Sequence, residues 1–254
     1  MRREWCVSAL EFDVLWRLLG RDRLPYPLQC RGDAATAAEH RAARRAAARR
    51  IAPLLDDHLH AALSVLHTPT VRVEVCGFHG AGLSTPVRVH AGIVAGRGAV
   101  ARQLPGADLD RGGDVLISTA PRSGVAVSIV DALPVVARAT GRGPGPRTPG
   151  HRTGSVLHPA AGRDLVKDSR AFFARPRTGI GEIGVVGGPS ADWRPAGDGV
   201  GAHWMDFADG RYLVRGDDAG VVPVSREELA AEIGTLIDRI GAAGQDQTTS
   251  HTAT

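Results

Sequence analysis

The residues with the clearest capacity for chemistry are three glycines. Gly179-Ile-Gly181-Glu-Ile-Gly184 has the G-x-G-x-x-G spacing that cradles a dinucleotide pyrophosphate when it follows a strand and opens a helix. Here the order is reversed: a helix is predicted before the glycines, and Val185-Val-Gly-Gly-Pro follows them. The glycines therefore read as a closely packed or flexible strand, and no nucleotide cofactor is expected. Gly141-Arg-Gly-Pro-Gly-Pro-Arg lacks the Gly-Lys-Ser/Thr ending of a phosphate-binding loop. The densest cluster of metal-capable side chains is Asp56-Asp57-His58-Leu59-His60. On a helix, His58 and His60 stand roughly 200° apart and cannot share an ion. A solvated helix start, with carboxylates near its positive end, is the better reading, and no metal is expected. Cys6, Cys30 and Cys76 are widely spaced and form no Cys-x-x-Cys pair, which predicts free, mostly buried thiols. H-E-x-x-H and G-x-S-x-G are both absent from the sequence. Nothing assembles an acid, a base and a nucleophile, so the chain does not read as an enzyme.

Charge points to one alternative class. The chain has 31 basic and 27 acidic residues, a formal charge of +4, and Lys167 is its only lysine. Arginine for lysine throughout a chain reflects GC-rich coding more than selection for an anion site. Arg41, Arg44, Arg45 and Arg49 nevertheless recur at helical spacing, so a nucleic-acid-binding or regulatory module using the Arg-rich helix 41–50 is the competing reading. Against it, no aromatic residues interleave with the arginines.

These residues must be positioned by a large core, since 254 residues bury roughly 70–75% of the unfolded surface. With 43% hydrophobic but only 4% aromatic residues, that core is built mainly from Ala, Val, Leu and Ile. No apolar run reaches the ~20 residues of a membrane span, and the opening residues lack the apolar stretch of a signal peptide. A cytoplasmic protein without membrane insertion is expected.

Residues 2–7 predict a strand and 8–19 a helix ending at Gly20, followed by an extended Leu24-Pro-Tyr-Pro-Leu28. Helices are predicted over 34–51 and 54–66. From Val71 the pattern alternates with period 2, and strands are predicted at 71–76, 87–95, 99–104 and 115–119. Short strands in succession imply antiparallel pairing. A helix at 123–133 precedes a Gly/Pro/Arg-rich loop, 140–154, expected to be mobile. Beyond it the pattern predicts a helix (163–174), strands at 179–186, 201–207, 211–215 and 220–224, and a last helix. Residues 242–254 read as a disordered tail.

Two segments echo each other. Val7-Ser-Ala-Leu-Glu11 and Val224-Ser-Arg-Glu-Glu228 each place Ser three residues before Glu, the spacing of a helix capping box. Phe12, Trp16 and Leu19 in one copy match Leu229, Ile233 and Leu236 in the other, an apolar stripe in each case.

The opening Ser8-Ala-Leu-Glu-Phe-Asp-Val-Leu-Trp16, Leu24-Pro-Tyr-Pro-Leu28, the segment 179–185, Gly210-Arg-Tyr-Leu-Val214 and the terminal Val-Pro-Val-Ser-Arg-Glu-Glu-Leu resemble, in order, the EspG family of type VII (ESX) secretion proteins. The resemblance spans residues 4 to 240, and its N-terminal block is the most specific part. It departs from the family pattern at Ile180 and Glu182. What the resemblance implies is an α+β fold, a central antiparallel β-sheet flanked by two α-helical bundles with an approximate internal two-fold. The echo at 7–19 and 224–236 would then mark corresponding corners of pseudo-repeat halves, 1–139 and 155–241, of a single domain 1–241. The family's members are cytosolic chaperones without catalytic residues that bind the PPE tip of a PE–PPE heterodimer. A partner-binding surface is expected near Ile180, Glu182, Ile183 and Val185, together with Trp204 and Tyr212.

Overall fold

The period-2 stretches all become strands of one sheet in the computed structural model, which describes residues 2–145, 169–190, 199–215 and 220–251. In chain order the elements are β1 (Glu4–Val7), α1 (Ala9–Leu18), α2 (Ala37–Ile51), α3 (Asp57–His67), β2 (Val71–His79), β3 (Thr85–Val94), β4 (Arg97–Pro105), β5 (Gly112–Pro121) and α4 (Arg122–Asp131). After these come a short helical stretch, 169–173, then β6 (Gly179–Gly187), β7 (Val200–Phe207), β8 (Gly210–Arg215), β9 (Val221–Pro223) and α5 (Arg226–His251). The sheet order is β1-β5-β4-β3-β2-β6-β7-β8-β9, with every pairing antiparallel. The expected α+β class is the one found. No described helix is long and apolar enough to cross a membrane.

Alternation divides the side chains between two faces. Val71, Val73 and Val75 of β2 lie opposite Ile93, Ala91 and Val89 of β3 on one side, and opposite Gly187, Val185 and Ile183 of β6 on the other. This face is closed by α4 and α5, through residues such as Val125, Ile129, Leu229 and Ile233. On the second face, α1 and α3 cover β4 and β5, where Phe12, Leu15, Leu59 and Leu63 share a cluster with Ala99, Ala101, Val115 and Ile117. At the far end Phe172 packs with Met205, Phe207 and Tyr212. Between these two lobes a short strip of the second face, at Phe78, Ile180, Glu182 and His203, stays at least partly exposed.

Read outward from the central β2–β6 pair, each arm of the sheet runs four strands and then a helix: β2-β3-β4-β5-α4 and β6-β7-β8-β9-α5. The approximate two-fold therefore relates α5 to α4, and the two lie together on the closed face. This corrects the expected correspondence between the helices that start after Ser8 and Ser225. Both capping boxes do form. Glu11 N–H donates to Ser8 Oγ at 3.3 Å and Ser8 N–H to Glu11 Oε2 at 2.8 Å, while Glu228 N–H donates to Ser225 Oγ at 3.2 Å and Ser225 N–H to Glu228 Oε2 at 2.7 Å. Yet α1 buries its stripe under the second face and α5 under the closed one. A cap contributes about 1 kcal/mol, whereas each buried Leu, Ile or Phe contributes roughly 1.5–3 kcal/mol. Packing, not the shared cap, decides where each helix goes.

Three further expectations change. Leu24–Leu28 is not extended: a cis Tyr26–Pro27 bond and a bond from Leu28 N–H to Pro25 O fold it into a turn. The thiols are free, but Cys6 is exposed and Cys30 and Cys76 are only partly buried. The last helix carries helical backbone through residue 251, into the stretch expected as a disordered tail. Of the expected loop 140–154, residues 140–145 run along the sheet edge, with Val221 N–H bonded to Pro144 O at 2.9 Å. Residues 146–154, the start of the helix expected at 163–174, and 191–198 lie outside the described residues.

Candidate functional site

The G-x-G-x-x-G segment lies in β6, a central strand between β2 and β7 that continues past the last of the three glycines to Gly187. Gly179 and Gly181 have steric reasons to lack a side chain, and Gly184 has none. A Cβ on Gly179 would come within 2.5 Å of Asp206 Oδ2. That carboxylate is buried and receives Arg211 through Nε at 2.7 Å and Nη2 at 2.8 Å, and Arg211 also donates to Pro134 O. A Cβ on Gly181 would fall 2.1 Å from the Trp204 ring, and one on Gly77 of β2 would fall 2.7 Å from it. The indole thus lies flat across bare backbone of two strands. At Gly184 a Cβ would meet nothing nearer than Glu74 O at 3.9 Å, so this glycine leaves open space.

The six residues expected to bind a partner divide by strand parity. Ile183, Val185 and Trp204 point into the closed face and are at most 1% exposed. Tyr212 is sealed among Phe172, Phe207 and Met205, its hydroxyl donating to Asp209 Oδ2 at 2.6 Å. Side chains with no solvent surface have nothing to offer a partner, so these four are corrected to sheet core. Ile180 and Glu182 do reach the open middle of the second face.

Neighbours that sequence reasoning missed complete the site. Ile180 stands opposite the exposed Phe78 of β2, and Glu182 stands opposite Cys76 on one side and His203 on the other. Period-2 alternation could have found Phe78 and His203, but only once the strand order was known. From above, the turn at Tyr26 leans over the strip, and the Tyr26 hydroxyl donates to Glu182 Oε1 at 3.0 Å. Burial, with Cys76 and Glu182 beside it, pushes the Tyr26 phenol up and keeps it a donor. The turn is held from below by His90, whose Nδ1 is 3.1 Å from Tyr26 O and whose Nε2 is 3.3 Å from Leu66 O. Burial pushes His90 down to about 4, so the ring is neutral near pH 7. At the other end Arg72 pairs with Glu74 at 2.9 Å and donates to the carbonyls of Gly187, Gly188 and Pro189, closing the strip. The result is an apolar ridge (Phe78, Ile180) beside a polar hollow (Glu182, His203), flanked by two lobes.

The competing sites resolve differently. Asp56 caps α3, accepting Leu59 N–H at 2.7 Å, while His58 and His60 are exposed on either side of the buried Leu59. Among the described residues no three His, Cys, Asp or Glu side chains gather where they could hold a metal. On α2, Arg44 is taken by Asp13 and Arg50 by Glu11. Arg41, Arg45 and Arg49 project to solvent from a helix surface that is otherwise largely alanine, with His40 the one ring on that helix.

Comparison with known proteins bears on this geometry. A model of the EspG family matches residues 8–235. Comparison with curated proteins gives no sequence match. Among solved structures, the fold is similar to a chain in the structure of the Mycobacterium tuberculosis type VII secretion system chaperone EspG5 in complex with a PE25–PPE41 dimer. The TM-score is 0.57 at 13% identity, over 93% of this chain and 96% of that one.

Proposed function

This chain belongs to the EspG family, and from that premise we propose that it is a cytoplasmic type VII secretion chaperone that works by binding, without chemistry. Its client is a PE–PPE-type helical heterodimer, held by the PPE tip against the open strip of β2, β6 and β7. The observation that carries this reading is the uneven covering of the sheet: one face is sealed by α4 and α5, while the other leaves Phe78 exposed and Ile180 half-buried beside it, between two lobes. A helical tip with apolar residues aggregates when free, and laying it on this strip removes that surface from water. The strip is built on strands, so little ordering free energy is lost on binding.

Co-expression of the full chain with each PE–PPE-type pair of the same genome, followed by affinity purification and size exclusion, tests the reading. A 1:1:1 complex with at least one pair is expected, and Ile180→Asp should weaken it about thirtyfold while leaving the chaperone folded. Absence of a stable complex with every pair would overturn it.

A further inference from the structure

Beside the apolar ridge lies a hollow of about 160 Å³, lined by Tyr26, Glu74, Glu182, Gly184, Gly201 and His203. It exists because Gly184 and Gly201 are cross-strand partners, and neither contributes a side chain to fill it. Two carboxylates, Glu74 and Glu182, line it. Glu74 is engaged by Arg72, which makes a neutral pair. Arg88, on the same face, is directed to Leu109 O. No arginine among the described residues pairs with Glu182. One oxygen of Glu182 is fixed by the Tyr26 hydroxyl, and the other lies 3.9 Å from His203 Nε2, beyond hydrogen-bond reach. The carboxylate is therefore oriented, 47% exposed, and lines the hollow, with its second oxygen holding no hydrogen bond among the described residues.

Covering this oxygen with an apolar side chain would strip its water and return nothing. A second carboxylate would add repulsion. A cation satisfies it with a short charge-assisted bond, and the hollow has room for the end of one long side chain. Resting on the reading that a helical client tip lies on this face, we propose that the hollow receives the ammonium or guanidinium end of one lysine or arginine from that tip. The ridge at Phe78 and Ile180 supplies adhesion, and Glu182 supplies selection. A client with a neutral or acidic residue at this position is refused, because Glu182 would be buried unpaired.

The test uses the full chain with its co-purified client and measures Kd at low and physiological salt. Glu182→Gln keeps the shape and removes the charge. It should weaken binding about tenfold or more and remove most of the salt dependence. Gly184→Leu, which points into empty space, should produce a similar loss with an unchanged thermal midpoint. Neutralising the contacting basic residue of the client should match the loss from Glu182→Gln, and combining the two should add nothing further. A complex indifferent to both Glu182→Gln and Gly184→Leu overturns the cation pocket while the chaperone reading stands. Sensitivity to Gly184→Leu alone means an uncharged occupant and also overturns it. Failure of the wild-type chain to bind any such pair removes the chaperone reading and this proposal with it.

Discussion

The two faces of the central sheet use the same strands for opposite purposes. On the closed face, β6 presents Ile183 and Val185 beneath α4 and α5, and β7 presents Trp204 across the bare backbone of Gly77 and Gly181. One residue away in each strand, Ile180, Glu182 and His203 stand in the open. The register alone separates a core residue from a surface residue, since a shift of one position exchanges every side chain between the faces. If the open strip is where a client is held, mutations at Ile183, Val185 and Trp204 should act on stability and mutations at Ile180, Glu182 and His203 on binding.

The sharpest way to break this comparison is Trp204→Ala on the closed face. Removing a fully buried indole should cost about 3–5 kcal/mol, read as a shifted urea midpoint, and client binding should fail only because the chain unfolds. A mild stability change would mean that the indole does not tie β2, β6 and β7 together. Ile180→Asp on the open face should do the reverse. Client affinity should drop by about 2 kcal/mol, near thirtyfold, with stability shifting by about 1 kcal/mol or less. A comparable loss of stability would place Ile180 in the core after all.

His90 sharpens the comparison through pH. Its folded value of about 4 lies below its ordinary 6.5, so between these limits the unfolded chain binds a proton that the folded chain excludes. Stability must then fall as pH drops through this window, by about 2 kcal/mol from pH 7 to pH 5 for this group. Charged Arg72 lies close enough to favour the neutral ring further. Urea titrations of wild type and His90→Gln at the two pH values should differ by that amount; parallel pH dependences would remove His90 as the cause. The smallest effect concerns the two capped helices. Ser8→Ala and Ser225→Ala should each cost about 1 kcal/mol in thermal unfolding, the equivalence expected of local capping chemistry that owes nothing to the face each helix covers.

Much of the fold was legible in the chain. The alternation of Val71, Val73 and Val75 predicted a strand, which forms but is buried on both faces because Arg72 and Glu74 pair beneath neighbouring elements, and both Ser-x-x-Glu boxes formed as their spacing required. The glycines at 179–184, read as a strand, do lie in β6. What misled was the echo between 7–19 and 224–236. It read as an internal repeat, yet the topology gives α5 a different counterpart in α4, because the capping motif recurs wherever a helix starts. The site was half legible: of six residues chosen near β6, two reach the open strip, and Phe78, His203 and Tyr26 went unnoticed. Tyr26 lies 156 positions from Glu182, and no local pattern encodes that approach.

The sequence by itself determined the element types, their caps and the antiparallel character of the sheet, because period, propensity and turn chemistry act within a few residues. Tertiary structure alone decided which face of each strand is sealed, which helix is paired with which, and that Glu182 stands oriented beside an unfilled hollow. Those outcomes depend on strand order and on the helices laid over the sheet, and a side chain's burial is fixed by neighbours that the chain brings from far away.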